Sequence, residues 1–489
     1  MVASRLPVAV VVAALTASAC RPAPAKPARA LDLTPCRLDG APSGATCGTL
    51  DVWEDRAAKS GRRIALKVVV FPALARDPAP DPLFLIAGGP GQAITRTASV
   101  VAAFDRVRRL RDIVLVDRRG TGGSGALDCR LVDEGAPLAQ RLDETGYPLE
   151  RLRGCLAGYD ADPRLYTTPL ATADLDDVRR ALGYERINLW GISYGTRAAL
   201  VYMRDFGPHV RTAVLDGVAP YTNRLPLYFA RDAQRALGLV FARCAGDPAC
   251  VAAYPDLEAR FGKLLARLDH APARITVADP LSGAPAPMVL RRSDFTSGLR
   301  AILYSAENAA LLPLVIDRAD HGDFAPFLAQ LAAFHSDVER TMSYGLLFSV
   351  LCAEDAPFIA PAELERESAG TFLGPGAARE MLNVCEVWPR GALPVEYREP
   401  IRSDVPTLLL AGELDPVTPR AWAEDAQRGL PQARLLEVPG VGHGATWHGC
   451  LPDVVARFIG RGAIEGLDTA CVERIPPPPF FVSYAGPEA

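Results

Sequence analysis

Residues 186–200 read RINLWGISYGTRAAL. The first seven, Arg186–Ile192, are compact and apolar, as expected of a strand covered on both faces. From Thr196 to Phe206 the apolar residues fall at helical spacing. Between strand and helix stands Gly191-Ile192-Ser193-Tyr194-Gly195. This G-x-S-x-G arrangement predicts a sharp turn in which the glycines relieve crowding and the Ser193 hydroxyl is lifted clear of the sheet. Five such residues are a weak signal in a chain with 41 glycines. The strand–turn–helix setting is what makes Ser193 a candidate nucleophile and not a turn serine.

The alternation continues on both sides. Pro82–Ala87, Asp112–Val116 and Arg211–Leu215 read as further strands, with helical patterns at Gln92–Leu110 and Ala171–Leu182. Cys47–Trp53 and Arg63–Phe71, β-branched and separated by a polar turn at Gly61, predict a hairpin. Residues 221–400 carry amphipathic helical patterns, such as Leu227–Cys244 and Tyr254–Leu268, and few strand-like runs. Strands return at Pro406–Ala411 and Arg434–Val438. The pattern predicts an α/β fold, a mostly parallel central sheet with helices on both faces. Its core is expected in two parts, 36–220 and 401–489, interrupted by a mainly helical cap insertion over 221–400.

With 49% hydrophobic and 22% charged residues, the 489-residue chain is neither disordered nor collagen-like. A net charge of −4 and the lack of a Lys/Arg run argue against a nucleic-acid partner. Residues 1–19 read as a signal peptide: Arg5, the apolar Leu6–Leu15, then Ala17-Ser18-Ala19. The apolar stretch is shorter than the roughly 20 residues that span a bilayer. Thr16–Cys20 also resembles a bacterial lipobox, which makes Cys20 a candidate for lipidation and membrane attachment, with the Pro/Ala-rich residues 20–35 as a tether. Ordinary cleavage after Ala19 gives a freely secreted or periplasmic protein instead. Either way the chain is expected to be exported. Of its 11 cysteines, those other than Cys20 fall into neighbouring couples: Cys36–Cys47, Cys129–Cys155, Cys244–Cys250, Cys352–Cys385 and Cys450–Cys471. Sequential disulfides are expected, since each closes a short loop and export implies an oxidising compartment.

A serine needs a base, and the base an orienting acid. Of six histidines, His443 lies in a Val-Gly-His-Gly loop just after the last expected strand. His448, five residues on and beside Cys450, is its competitor. Pro406–Ala411 leads into Gly412-Glu413-Leu414-Asp415-Pro416, so Asp415 stands at a strand end and between serine and histidine in the chain. Glu413 and Asp216, the latter also after a strand, remain alternatives. An oxyanion needs preorganised N–H donors. The Tyr194 amide is one candidate, and Ala87-Gly88-Gly89-Pro90-Gly91 supplies the other, Gly89 in preference to Gly88. Gly120–Gly125 matches G-x-G-x-x-G, but no second strand with a terminal acid follows, which excludes a dinucleotide site. Neither H-E-x-x-H nor C-x-x-C occurs, so no metal is expected, nor any cofactor.

Asp117-Arg118-Arg119-Gly120-Thr121-Gly122-Gly123-Ser124 resembles the D-x-R-G-x-G-x-S signature of prolyl-iminopeptidase-type α/β-hydrolases. With the GGPG segment, GISYGTR and GELDPVTP…VGHG, residues 45–475 are similar to the exported tripeptidyl-aminopeptidase group of that family. Ala87 departs from it, standing where many relatives carry histidine. The resemblance implies an α/β-hydrolase fold and a Ser193–Asp415–His443 serine peptidase that releases short peptides from a free N-terminus. Related members are carboxylesterases or cell-envelope proteases, so an esterase is the nearest rival; a catalytically inactive surface-binding protein is the rival from another class. An aminopeptidase must bind an ammonium, and Glu354 and Asp355, in Cys352-Ala353-Glu354-Asp355, are the candidate carboxylates, with a solvated acidic turn as the equal alternative.

Overall fold

The computed structural model describes residues 30–487 apart from 134, 143–145 and 280–281. The signal peptide, Cys20 and residues 20–29 of the tether lie outside the described residues. Apolar runs bounded by glycine and proline become strands β1 (Thr34–Cys36), β2 (Ala45–Trp53), β3 (Arg63–Phe71), β4 (Leu83–Ile86), β5 (Ile113–Val116), β6 (Ile187–Ile192) and β7 (Val210–Asp216). Four more follow: β8 (Ala273–Ala278), β9 (Pro285–Leu290), β10 (Thr407–Gly412) and β11 (Ala433–Val438). Nine of them form one sheet in the order β1-β2-β3-β5-β4-β6-β7-β10-β11. The pairs from β5 through β11 are parallel and the first three pairs antiparallel. This is the mostly parallel α/β-hydrolase sheet predicted.

Every residue of β4, β5 and β10 is buried, because helices cover both faces. Leu85, Leu115, Trp190, Leu408 and Leu410 point into one core, closed by the helix Leu451–Arg461. Phe84, Val114, Leu189, Leu215 and Leu409 alternate with them into the other, against Tyr194–Phe206 and Thr168–Ala181. A third cluster lies mostly in the insertion, including Leu237, Leu264, Phe295, Leu299, Ile316 and Phe327, and is joined by Leu138, Leu142 and Phe480 from outside it. The insertion is laced to the Gly-Gly-Pro-Gly loop: Ala93 N–H donates to the Thr341 carbonyl at 3.1 Å and Ser343 N–H to that of Gly91 at 2.9 Å. No single described helix is long and apolar enough to cross a membrane.

Three local expectations change. Thr34–Cys36, placed partly in the tether, is an edge strand paired antiparallel with β2. The insertion holds a hairpin, β8 with β9, hidden in the sequence because Pro285 and Pro287 lower the strand signal of its second arm. Gln92–Leu110 is no continuous α-helix: Ile94–Phe104 is wound as 3₁₀ with a break at Thr97, and only Asp105–Arg108 is α-helical. The Asp117 carboxylate takes the Thr95 amide at 3.0 Å and the Thr95 hydroxyl at 2.7 Å, and so dictates how that segment begins. The five cysteine couples read from the sequence are the five disulfides.

Candidate active site

Ser193 caps the helix Tyr194–Phe206 with φ 56° and ψ −128°, a backbone conformation that side-chain-bearing residues seldom hold. The turn can be this tight because Gly195 has no side chain: a Cβ there would stand 2.3 Å from the Ile86 carbonyl oxygen. Strand β6 therefore ends with Ser193 partly exposed while Gly191 and Tyr194 are buried. Tyr194 opens the helix, so its amide has no intrahelical acceptor. Across the turn lies the Gly-Gly-Pro-Gly loop. Gly89 sits at φ 103°, where only glycine is comfortable, and Gly88 faces the serine so closely that a Cβ on it would be 3.0 Å from Ser193 Cβ.

His443 Nδ1 lies 2.8 Å from Asp415 Oδ2. Asp415 is wholly buried after β10 and is held by the amides of Val417 and Thr418, both 2.8 Å from Oδ1, and by the Thr418 hydroxyl at 2.7 Å from Oδ2. Burial works against this carboxylate, yet His443 and the Thr418 donors hold its pKa below the ordinary value. Burial likewise opposes the imidazolium, but the charge and hydrogen bond of Asp415, with Asp216 behind it, lift the His443 pKa above 6.5.

The other two acids have different tasks. Asp216 accepts from the amides of Ala445 and Thr446 at 2.8 Å each and from the Thr446 hydroxyl at 2.6 Å, while its own carbonyl takes the Ser193 amide at 2.9 Å. It thereby clamps the histidine loop to the serine turn. Glu413 accepts the Gly440 amide at 2.7 Å, at the loop's beginning. His448 turns away, its Nδ1 3.9 Å from Glu307. Sequence reasoning missed Tyr304 and Arg300, which carry no motif. The Tyr304 carbonyl accepts the His443 amide at 2.7 Å and its ring meets the imidazole edge-on at 5.3 Å, while Arg300 donates to the Tyr304 hydroxyl and lowers the His443 pKa through space.

Glu354 and Asp355 are not presented to a substrate ammonium. Both Asp355 oxygens lie 3.0 Å from Arg197 Nη1, and the side chain is fully buried. Glu354 accepts the Thr168 amide at 2.6 Å, the Thr168 hydroxyl at 2.8 Å and the Tyr397 hydroxyl. They occupy a single π-helical turn, Leu351–Asp355, at the end of the helix Tyr344–Val350. They are neither the open ammonium site nor the solvated acidic turn considered from the sequence, because Arg197, from GISYGTR, and the Thr168–Tyr397 pair consume them. The Gly120–Gly125 segment is likewise structural: the Ser124 hydroxyl binds back to the Asp117 carbonyl and takes the Lys67 amide at 2.8 Å. Among the described residues no group of three or more His, Cys, Asp or Glu side chains could hold a metal.

Comparison with known proteins places two family models on the chain, an alpha/beta hydrolase fold over residues 81–263 and a TAP-like protein over residues 371–471. A tripeptidyl aminopeptidase of Streptomyces coelicolor is 32% identical over 213 residues, 40% of this chain and 39% of that protein. The match thus spans about two fifths of that relative's length. Serine protease Hip1 of Mycobacterium tuberculosis is 26% identical over 484 residues, 90% of this chain and 91% of that protein. Carboxylesterase B of the same species is 27% identical over 468 residues, covering 87% and 86%.

Proposed function

We propose that the protein, which has the α/β-hydrolase fold over residues 81–263 and matches a TAP-like family over residues 371–471, is an exported serine aminopeptidase that releases short peptides from a free N-terminus. The observation that carries the serine-hydrolase chemistry of this reading is the buried Asp415–His443 pair, 2.8 Å apart, tied through Asp216 to a serine held at φ 56°. Ser193 Oγ attacks the scissile carbonyl and His443 Nε2 takes its proton. Asp415 holds the Nδ1–H and stabilises the imidazolium, while the amides of Gly89 and Tyr194 receive the oxyanion. His443 then protonates the leaving amine, and water releases the acyl group by the same steps in reverse. No cofactor enters this sequence. The name of the Streptomyces relative supports the tripeptidyl preference; the five disulfides support an oxidising compartment, with Cys20 as the lipid attachment point.

A carboxylesterase is the second reading, favoured by the similarity to Carboxylesterase B and by the closure of Glu354 and Asp355 against a substrate ammonium. Three chromogenic substrates separate the two: a free-amine tripeptide nitroanilide, its N-succinylated twin and nitrophenyl butyrate. A strong preference for the free amine is the expected result. Indifference to succinylation with rapid ester cleavage overturns the aminopeptidase assignment and leaves the Ser193 chemistry intact.

A further inference from the structure

Arg118 and Arg119 are adjacent and both buried, yet the fold treats them differently. Arg119 is neutralised: Nε and Nη2 lie 2.6 and 2.8 Å from the Asp174 carboxylate, and Nη1 donates to the carbonyls of Glu54 and Leu165. Arg118 has no such counter-ion among the described residues. Its Nη2 donates to the carbonyls of Ala87 at 3.1 Å and Gly88 at 3.3 Å, and its guanidinium lies 4.7 Å from the centre of the Tyr194 ring. Asp117 and Glu354 act on it only through space. Asp117 is turned to Thr95 and Gly123, and Glu354 to Thr168 and Tyr397. A buried cation without a contacting carboxylate is expensive to keep, so its surroundings indicate a use.

A trans peptide points its carbonyl and its N–H in opposite directions. Pinning the Ala87 and Gly88 carbonyls toward Arg118 therefore aims the amides of Gly88 and Gly89 away from it, in the loop that borders Ser193. The same guanidinium lies over Tyr194, whose amide is the second candidate donor. We propose that Arg118 is a positioning residue for the oxyanion: it holds the two donor segments in register, and its unpaired charge favours the negative charge that develops between them. Arg118 stays protonated throughout and transfers nothing; the proton from Ser193 resides on His443 while the oxyanion exists. The inference rests on Ser193 being the nucleophile.

The test uses the full-length protein with Arg118→Met, Arg118→Gln and Arg118→Lys. Each is measured for kcat, KM, inhibition by a peptide trifluoromethyl ketone (which forms a tetrahedral adduct with an active serine) and urea unfolding. Arg118→Met should lower kcat by about 10²–10³-fold, the scale of a lost oxyanion donor. KM should stay within about threefold, and the ketone should weaken in step with kcat, which a merely structural role would not produce. Arg118→Gln, which can still donate to a carbonyl, should recover about tenfold. A folded Arg118→Met with parental kcat and ketone affinity, or with a loss confined to KM, overturns the inference. Should that variant not fold, Gln and Lys decide: each should lose about 10–10²-fold in both readouts, and parental values in both are equally fatal. Failure of the underlying reading looks different, because the parent then resists fluorophosphonate and Ser193→Ala stays active.

Discussion

At Asp415, two backbone amides and a threonine hydroxyl fix the carboxylate so that Oδ2 meets His443 Nδ1. Fixing the tautomer in this way should matter more than charge alone, so Asp415→Asn is expected to cut kcat by about 10⁴-fold without unfolding the protein. His443 must be neutral to accept the serine proton, and its pKa is raised. The acid limb of kcat/KM should therefore have its midpoint above 6.5, with activity lost as pH falls through it. Arg300 lowers that pKa, so Arg300→Leu should move the limb to higher pH; a limb that stays in place or moves down contradicts the assignment of His443 as base. Ser193 was legible because its whole signal is local. Asp415 was legible from its strand-end position and chain order, but the task of Asp216 was not, since the loop amides that claim it lie 229 and 230 residues away.

The helix behind Ser193 is bound to the insertion by the buried Arg197, which lies 3.0 Å from Asp355 and 3.9 Å from Glu354. The acids at 354 and 355 were legible as a pair, but their partners were not: Arg197 is 158 residues from Asp355, and Thr168 is 186 from Glu354. Taking from Arg197 its contacting carboxylate should be costly, because Glu354 stands farther off and is engaged by Thr168 and Tyr397, so Asp355→Asn is expected to lose about 3–5 kcal/mol of stability in urea unfolding. The paired apolar replacement Arg197→Met with Asp355→Leu should recover much of that loss. If Asp355→Asn unfolds like the parent yet selectively raises KM for free-amine peptides, Asp355 binds substrate after all and the structural role is wrong. The winding of Ile94–Phe104 was illegible for a related reason: Asp117, 22 residues from Thr95, decides it.

Among the described residues two large cores flank one sheet, a third lies mostly in the insertion, and two smaller clusters lie beside them, while the backbone bonds at Gly91–Ala93 join the insertion to the loop beside Ser193. The parallel sheet and its layering were readable because parallel strands buried on both faces leave unbroken apolar runs; the order of its strands and the packing of the insertion's helices were not, because neither leaves a local pattern. Five disulfides reinforce the frame, and at about 2–4 kcal/mol each their reduction should lower the thermal midpoint markedly; an unchanged midpoint under dithiothreitol with all thiols titrated would count against bridges that matter. The most direct test of the whole account is peptide mapping by mass spectrometry after fluorophosphonate treatment of the parent, Ser193→Ala and His443→Ala proteins. A single adduct on Ser193 in the parent, none in Ser193→Ala and a strongly slowed one in His443→Ala is the predicted result. No adduct on the folded parent, or one on another residue that survives Ser193→Ala, would contradict it.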